Sequence, residues 1–154
     1  MSADPYARLK ELGLALPAVA APLAAYVPAV QSGNHVYVSG QLPIVDGELL
    51  ATGKVGAEVP AEQAQDLARQ CALNALAAID ALVGLARVVK VVKVLGFVAS
   101  APGFTGQPAV VNGASELFGG VFGEAGRHAR SAVGVAELPR GAPVEVEVIV
   151  EIGS

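Results

Sequence analysis

One arginine and its neighbours offer the clearest chance of chemistry in this chain. Arg130 heads the run ARSAVGVA, and Glu145 and Glu147 alternate with valines in VEVEVIVEI a short way on. A guanidinium is a permanent cation whose fork of donors matches a carboxylate through two parallel hydrogen bonds. Side chains of a strand alternate between its two faces, so Arg130 shares one face with Ala132, Gly134 and Ala136. Residues that small leave room beside the cation, as a site for a planar anion requires. A plainer reading uses the same residues: Arg130 pairs with Glu145 or Glu147 across a β-hairpin and adds only solubility. Spacing by itself favours the plainer reading.

Other reactive side chains are few. The two histidines, His35 and His128, have no H-x-x-x-H or H-E-x-x-H setting, so no metal site is expected. His35 follows a turn and reads as a solvated strand residue. His128 lies two residues before Arg130 and could approach a cleft, although a surface position is the simpler reading. Cys71 is the single cysteine. It can form neither an intramolecular disulfide nor a zinc site, and its alanine-rich setting marks it as a small buried residue. There is no G-x-G-x-x-G after a strand, no Walker loop and no G-x-S-x-G elbow. The net charge is −4 and the ten Lys and Arg are scattered, which speaks against a nucleic-acid surface.

The elements that must position these residues follow from periodicity. Asp4-Pro5 opens a short helix over Tyr6 to Leu14, stopped at Gly13, in keeping with an N-cap followed by proline in the first turn. A Pro- and Ala-rich connector runs to Ala25. Short strands are expected at Tyr26–Val30 and His35–Ser39, separated by the Ser32-Gly33-Asn34 turn. Ser39-Gly40-Gln41 breaks the second strand. Gln41–Val45 and Glu48–Leu50 pair loosely about Asp46-Gly47. Ala64, Leu67, Ala68, Cys71, Ala75, Ala78, Ile79 and Leu82 recur at helical spacing through Pro60–Val83. Arg87–Ala99 reads as a buried central strand, on which Lys90 and Lys93 fall on opposite faces. Ser100–Pro108 is a Gly/Pro loop. Pro108–Phe122 is a second helix weakened by Gly113, Gly119 and Gly120, unless those glycines serve close packing. The order predicts an α+β or mixed α/β layer: a single sheet with two helices packed on one face.

Composition adds a constraint. Of 154 residues, 53% are hydrophobic and 16% charged, against a charged share of about 25% in typical domains. A small domain cannot hide that much apolar surface alone, so burial between subunits of an obligate homo-oligomer is expected. The segment Leu14–Val30 is the nearest approach to a membrane span, but Pro17, Pro22 and Pro28 interrupt it. The mixed charge before it is unlike a signal peptide, so a cytoplasmic location is expected and no membrane partner.

Several stretches together resemble the YjgF family, also called the Rid family of reactive-intermediate (imine/enamine) deaminases. They are YVPAVQSGNHVYVSGQLP (Tyr26–Pro43), CALNALAAID (Cys71–Asp80), VVKVLGFV (Val91–Val98), VVNGASELF (Val110–Phe118) and ARSAVGVAELPRGAPVEVEVIVEI. The S-G-Q triplet and the R-S-x-V-x-V-x-x-L-P-x-G-x-x-[VI]-E-[VI]-E signature carry the resemblance jointly. It implies a chorismate-mutase-like fold and a homotrimer with clefts between subunits. The domain would span residues 1–154, with an extra N-terminal helix and connector over 1–25.

The resemblance also implies site roles. Arg130 matches the arginine that holds the substrate carboxylate, and Glu145 the glutamate associated with the reacting water. Tyr26 matches a cleft tyrosine supplied across the interface, and Asn112 an asparagine on the second helix. Ser39 and Gly40 match the cleft wall, and Ala132 a position that acts through its backbone. The reaction implied is hydrolysis of 2-imino acids, or enamines after tautomerisation, to 2-keto acids and ammonia, with no cofactor or metal. Two departures bear on substrate range: His128 stands where the family has proline, and the loop over 96–108 is longer. Two rival readings are a non-catalytic binder of small carboxylates such as keto acids, and a ribonuclease, an activity carried by some family members. The acidic charge and the small aromatic set of three Tyr and four Phe disfavour the ribonuclease, which would need stacking platforms.

Overall fold

The computed structural model describes residues 4–19 and 25–154. Helix α1 (Pro5–Glu11) begins where the Asp4 side chain accepts from the Tyr6 N–H at 3.0 Å. It ends before Gly13, which takes the left-handed conformation at φ 72°. Helix α2 spans Ala61–Val83 and α3 Gln107–Phe122. Strands β1 (Ala29–Ser32), β2 (His35–Gln41), β5 (Val88–Ala99), β6 (Ala129–Val135) and β7 (Val144–Ile152) make one five-stranded sheet in the order β1-β2-β7-β5-β6. Strands β3 (Ile44–Val45) and β4 (Glu48–Leu49) form a separate two-stranded ribbon. Its turn, Asp46-Gly47, has positive φ at both residues, the geometry that matches hairpin twist. The expected α+β mixed sheet is therefore present, with this ribbon added to the single sheet and a third, short helix docked beside the two main ones. Tyr26 precedes the first strand instead of opening it. The connector falls partly on residues 20–24, outside the described residues.

The topology corrects the hairpin reading. Strand β7 inserts between β2 and β5 and runs antiparallel to both, while β6 pairs with β5 in parallel. Strands β6 and β7 are consecutive in the chain but do not touch along their edges. Arg130 thus has no cross-strand neighbour on β7. The parallel β5–β6 pair requires a crossover, and α3 supplies it.

Strand β5 also departs from simple alternation. Its register against β7 shifts between Val88 and Lys90 and again between Val91 and Lys93. Each shift inserts one extra residue, as a bulge does. Val88, Val91 and Val94 therefore all reach the core three residues apart. Lys90 and Lys93 oppose Glu151 and Ile149, which share a face, so both lysines stand on the side away from the helices. The expected opposite placement fails for that reason.

Alanines make the helix–sheet layer thin. Ala64, Ala68, Cys71, Ala72, Ala75 and Ala78 of α2 are all essentially inaccessible, and they pack with Val144, Val146, Val148 and Val150 of β7 in one core. Helix α3 closes down through glycine. A Cβ on Gly96 of β5 would fall 2.3 Å from Val111 Cγ2, and one on Gly113 only 2.0 Å from the Gln65 carbonyl oxygen of α2. Helix α1 is pinned by side chains: the Tyr6 hydroxyl donates to Asp80 Oδ1 at 2.6 Å, and the Leu85 N–H donates to the Tyr6 oxygen at 3.0 Å.

Two neighbouring glycines of α3 should respond in opposite ways. Gly113→Ala must push α3 off the α2 backbone and is expected to destabilise by about 1–3 kcal/mol or more, the range of overpacked cores. At Gly119 nothing lies within 4 Å of the place a methyl group would take, so Gly119→Ala should gain about 0.5–1 kcal/mol of helix propensity. Urea unfolding of the two variants checks this, and a Gly113→Ala variant as stable as wild type would contradict the close approach.

Candidate functional site

The crossover helix presents a polar stripe to the start of β6. Pro108, Asn112 and Ser115 recur at helical spacing on one side of α3. The Arg130 guanidinium lies along that stripe. Its Nη1 donates to Asn112 Oδ1 at 2.7 Å and to Ser115 Oγ at 3.3 Å, and its Nη2 donates to the Pro108 carbonyl at 3.3 Å. All three partners are neutral. The ion pairs among the described residues are Lys54–Glu137 and Arg127–Glu124, and no carboxylate among them engages Arg130. The cation is half-buried, oriented by helix groups, and keeps donors on Nε and Nη2 in reserve. Ala132, two residues along the same face, is half-buried against the core and lies opposite Gly96.

His128 belongs to the same assembly. Its Nδ1 lies 2.6 Å from the Gly126 carbonyl and its Nε2 2.9 Å from Ser115 Oγ. Its ring meets Phe118 edge-on, with centroids 6.1 Å apart and planes at 87°. The expected loose surface placement is thus replaced by a half-buried ring with both nitrogens engaged. Sequence reading missed Ser115 altogether. Its available signal was the pair Asn112 and Ser115, three apart on a largely apolar helix.

A second cluster forms on β2 and β7. The β2–β7 register shifts between Val38 and Gln41, so Ser39-Gly40 is a bulge within a continuing strand and not a strand break. Bulges of this kind re-aim side chains beside sites. The Glu145 side chain lies across it: a Cβ on Gly40 would fall 2.7 Å from Glu145 Oε2. Ser39 Oγ donates to the Val27 carbonyl at 2.6 Å, and the Ser39 N–H donates to the Pro28 carbonyl at 2.9 Å. Those bonds hold the segment that carries Tyr26, a residue 46% exposed. Behind the bulge, buried Asn74 of α2 donates to the Leu42 and Ile44 carbonyls at 3.0 and 2.9 Å. Asn74 was also missed, although an asparagine inside CALNALAA is a polar residue in a buried run.

The two clusters do not meet within one chain. Arg130 is in register with Val94 and Val148, both core residues, whereas Glu145 is in register with Phe97 on the other face. Strand β5 lies between their strands, which puts them roughly 9–10 Å apart laterally. The three-residue register offset adds roughly 10 Å along the strands. The structure therefore brings Arg130, Asn112 and Ala132 together, and Ser39, Gly40 and Glu145 together, but not one set with the other.

Burial, with the neighbouring Glu147 carboxylate adding to it, raises the pKa of Glu145 from its ordinary value. Burial pushes the Cys71 thiol well up, with a smaller contribution from Glu145. That thiol is fully enclosed, in line with a packing role. Among the described residues no helix is long and apolar enough to cross a membrane.

A mixed sheet with its helices on one face, a crossover helix cradling an arginine and a Ser-Gly bulge under a glutamate define a recognisable class, and comparison with known proteins names it. A model of the family described as Endoribonuclease L-PSP matches residues 17–152. Protein TCP17 of Trypanosoma cruzi is 51% identical over 150 residues, 96% of this chain and 94% of that protein. A 2-iminobutanoate/2-iminopropanoate deaminase of Dermatophagoides farinae is 36% identical over 140 residues, 90% of this chain and 94% of that one. The crystal structure of protein Atu1372 from Agrobacterium tumefaciens superposes with a TM-score of 0.88 at 49% identity, covering 97% of this chain and 92% of that one. The chain belongs to the Endoribonuclease L-PSP family, that is, the YjgF/Rid family.

The raised Glu145 gives a signed pH prediction. An acid with a raised folded pKa favours the protonated form when folded, so its full stability is present below the unfolded carboxylate value and is lost as pH rises through the folded value. Glu145→Gln should match wild type near about pH 4 and exceed it once pH rises through the raised value. Urea midpoints across that range, at one protein concentration, check this; parallel curves for the two proteins would contradict it.

Proposed function

We propose that the protein hydrolyses small 2-imino acids to 2-keto acids and ammonia in a cleft shared between protomers. The observation that carries this reading is the Arg130 guanidinium, which is half-buried and held by three neutral partners, with no carboxylate among the described residues. A cation positioned in this way, with donors in reserve, suits a substrate carboxylate. The activity for which the Dermatophagoides farinae relative is named supports the imine as the reacting group.

The chemistry demands little. An imine carbon is already electrophilic. Arg130 fixes the substrate through its carboxylate, removing part of the entropic barrier, and the backbone at Ala132 is suited to bond the imine nitrogen. Glu145, whose pKa is raised by burial and by the Glu147 charge, acts as base to the attacking water. Water oxygen adds to carbon and its proton passes through Glu145 to nitrogen; the carbinolamine hydroxyl proton then passes to nitrogen by the same carboxylate, and the C–N bond breaks to give ketone and ammonia. Tyr26, Ser39, Gly40 and Asn112 complete the wall.

Arg130 and Glu145 lie on opposite faces and two strands apart, so one substrate touching both takes them from different protomers. That requirement favours an oligomer, and a homotrimer is the assembly proposed. Apolar exposure on the sheet supports it: Tyr37 and Val133 are each 43% exposed, and Leu95, Phe97 and Ile149 are only half-buried on the same face.

Ammonia release from an enzymatically generated 2-iminobutanoate tests the reading. Arg130→Ala should raise KM by at least about 30-fold, the equivalent of ~2 kcal/mol for a lost charge-assisted contact. Light scattering should give three times the 15.4 kDa chain mass. Binding of 2-ketobutyrate by calorimetry without any turnover would replace the enzyme with a keto-acid binder. Equal rates in wild type and variant would remove the assignment.

A further inference from the structure

The hydrogen bonds around His128 fix more than its place. The Gly126 carbonyl can only accept, so the Nδ1 that lies 2.6 Å from it carries the ring proton. In the neutral imidazole Nε2 is then a bare acceptor, and the group 2.9 Å away, Ser115 Oγ, must donate its hydroxyl proton to it. With that proton turned toward the histidine, the serine lone pairs remain for donors, and Arg130 Nη1 uses one at 3.3 Å. A directed chain results: carbonyl of Gly126, imidazole of His128, hydroxyl of Ser115, guanidinium of Arg130. Gly126 is itself fixed, because a Cβ there would fall 2.4 Å from the Phe118 carbonyl. Both ends of the chain pack on α3, Gly126 against the Phe118 carbonyl and Arg130 through Asn112.

We infer that Ser115 and His128 are positioning residues for Arg130. Together with Asn112 they occupy the Nη1 end of the guanidinium and so turn its Nε and free Nη2 donors toward an incoming carboxylate. The inference rests on the carboxylate reading of the site, and it assigns His128 its role through the acceptor on Nε2, not through ring volume. A serine whose hydroxyl were free to rotate would present its proton to the guanidinium in part of its orientations and oppose it. The neutral Nδ1–H tautomer prevents this.

The substitutions separate bonding from packing. His128→Phe keeps a ring against Phe118 and loses the acceptor. His128→Gln loses the ring and keeps an acceptor at similar reach. Ser115→Ala loses the hydroxyl and Ser115→Thr keeps it. Expected for 2-ketobutyrate, measured by calorimetry, is an affinity about 3- to 10-fold weaker in His128→Phe and Ser115→Ala, the scale of one lost neutral hydrogen bond. The double variant should be no weaker than either single, because both break one chain. His128→Gln and Ser115→Thr should stay near wild type.

Two readouts need no ligand. In a His35→Gln background, where His128 is the sole histidine, nitrogen NMR should show the proton on Nδ1. Rotation of the Arg130 guanidinium about its Cζ–Nε bond should quicken in His128→Phe and Ser115→Ala only. A proton on Nε2, or rotation in His128→Phe equal to wild type, overturns the inference. Should wild type fail to bind 2-ketobutyrate, the carboxylate reading falls, and the rotation rates still decide whether the two residues hold Arg130.

Discussion

The close seating of α3 governs this molecule. Val111 drops into the space left by Gly96, Gly113 lies against the backbone of α2, and Gly126 lies against the Phe118 carbonyl. These approaches set the height of the helix over β5 and β6. Hydrogen bonds of 2.7 and 3.3 Å from Arg130 to Asn112 and Ser115 exist only at that height, because such bonds weaken steeply beyond their normal range. A methyl group on Gly96 would lift the helix off β5, and one on Gly113 would push it off α2; either moves the polar partners of the guanidinium with it. Gly113, which lowers helix propensity in α3, is therefore part of how the site is held.

The sheet separates the charges of the site. The cation stands on the helix-covered face at the start of the outermost strand, and the half-buried glutamate stands on the open face beside a bulge. Each is set apart from an ordinary surface charge by its own surroundings: Arg130 by a row of neutral acceptors, Glu145 by burial and a like charge two residues on. Kept apart, they cannot neutralise one another in a free protomer. Among the described residues neither the guanidinium nor the Glu145 carboxylate is spent on an ion pair.

Much of this fold was legible in the sequence because most elements announce themselves locally. The alanine periodicity of α2, the proline at the start of α1 and the β-branched run of β5 each sit within two or three residues of their expected bounds. What failed was non-local. Chain proximity implied that β6 and β7 form a hairpin, but β7 finds a better place between β2 and β5, where its valines bury against α2. Parity mispredicted Lys90 and Lys93 because two register shifts are invisible in a run of valines. Within the candidate site, Arg130 and Asn112 were found as residues but not as neighbours. Ser115 and His128 gave no motif, because their bond depends on how the middle of α3 and the start of β6 converge after a turn.

The position of β7 has one more consequence, for biosynthesis. It is the last element in chain order and the middle strand in space. Until it leaves the ribosome, β2 and β5 each face an empty lane, and the alanine face of α2 has no valine floor to settle on. A nascent chain can form its helices early but cannot close its sheet vectorially. The whole domain waits on residues 144–152, and during that wait two open strand edges are exposed to capture by other polypeptides.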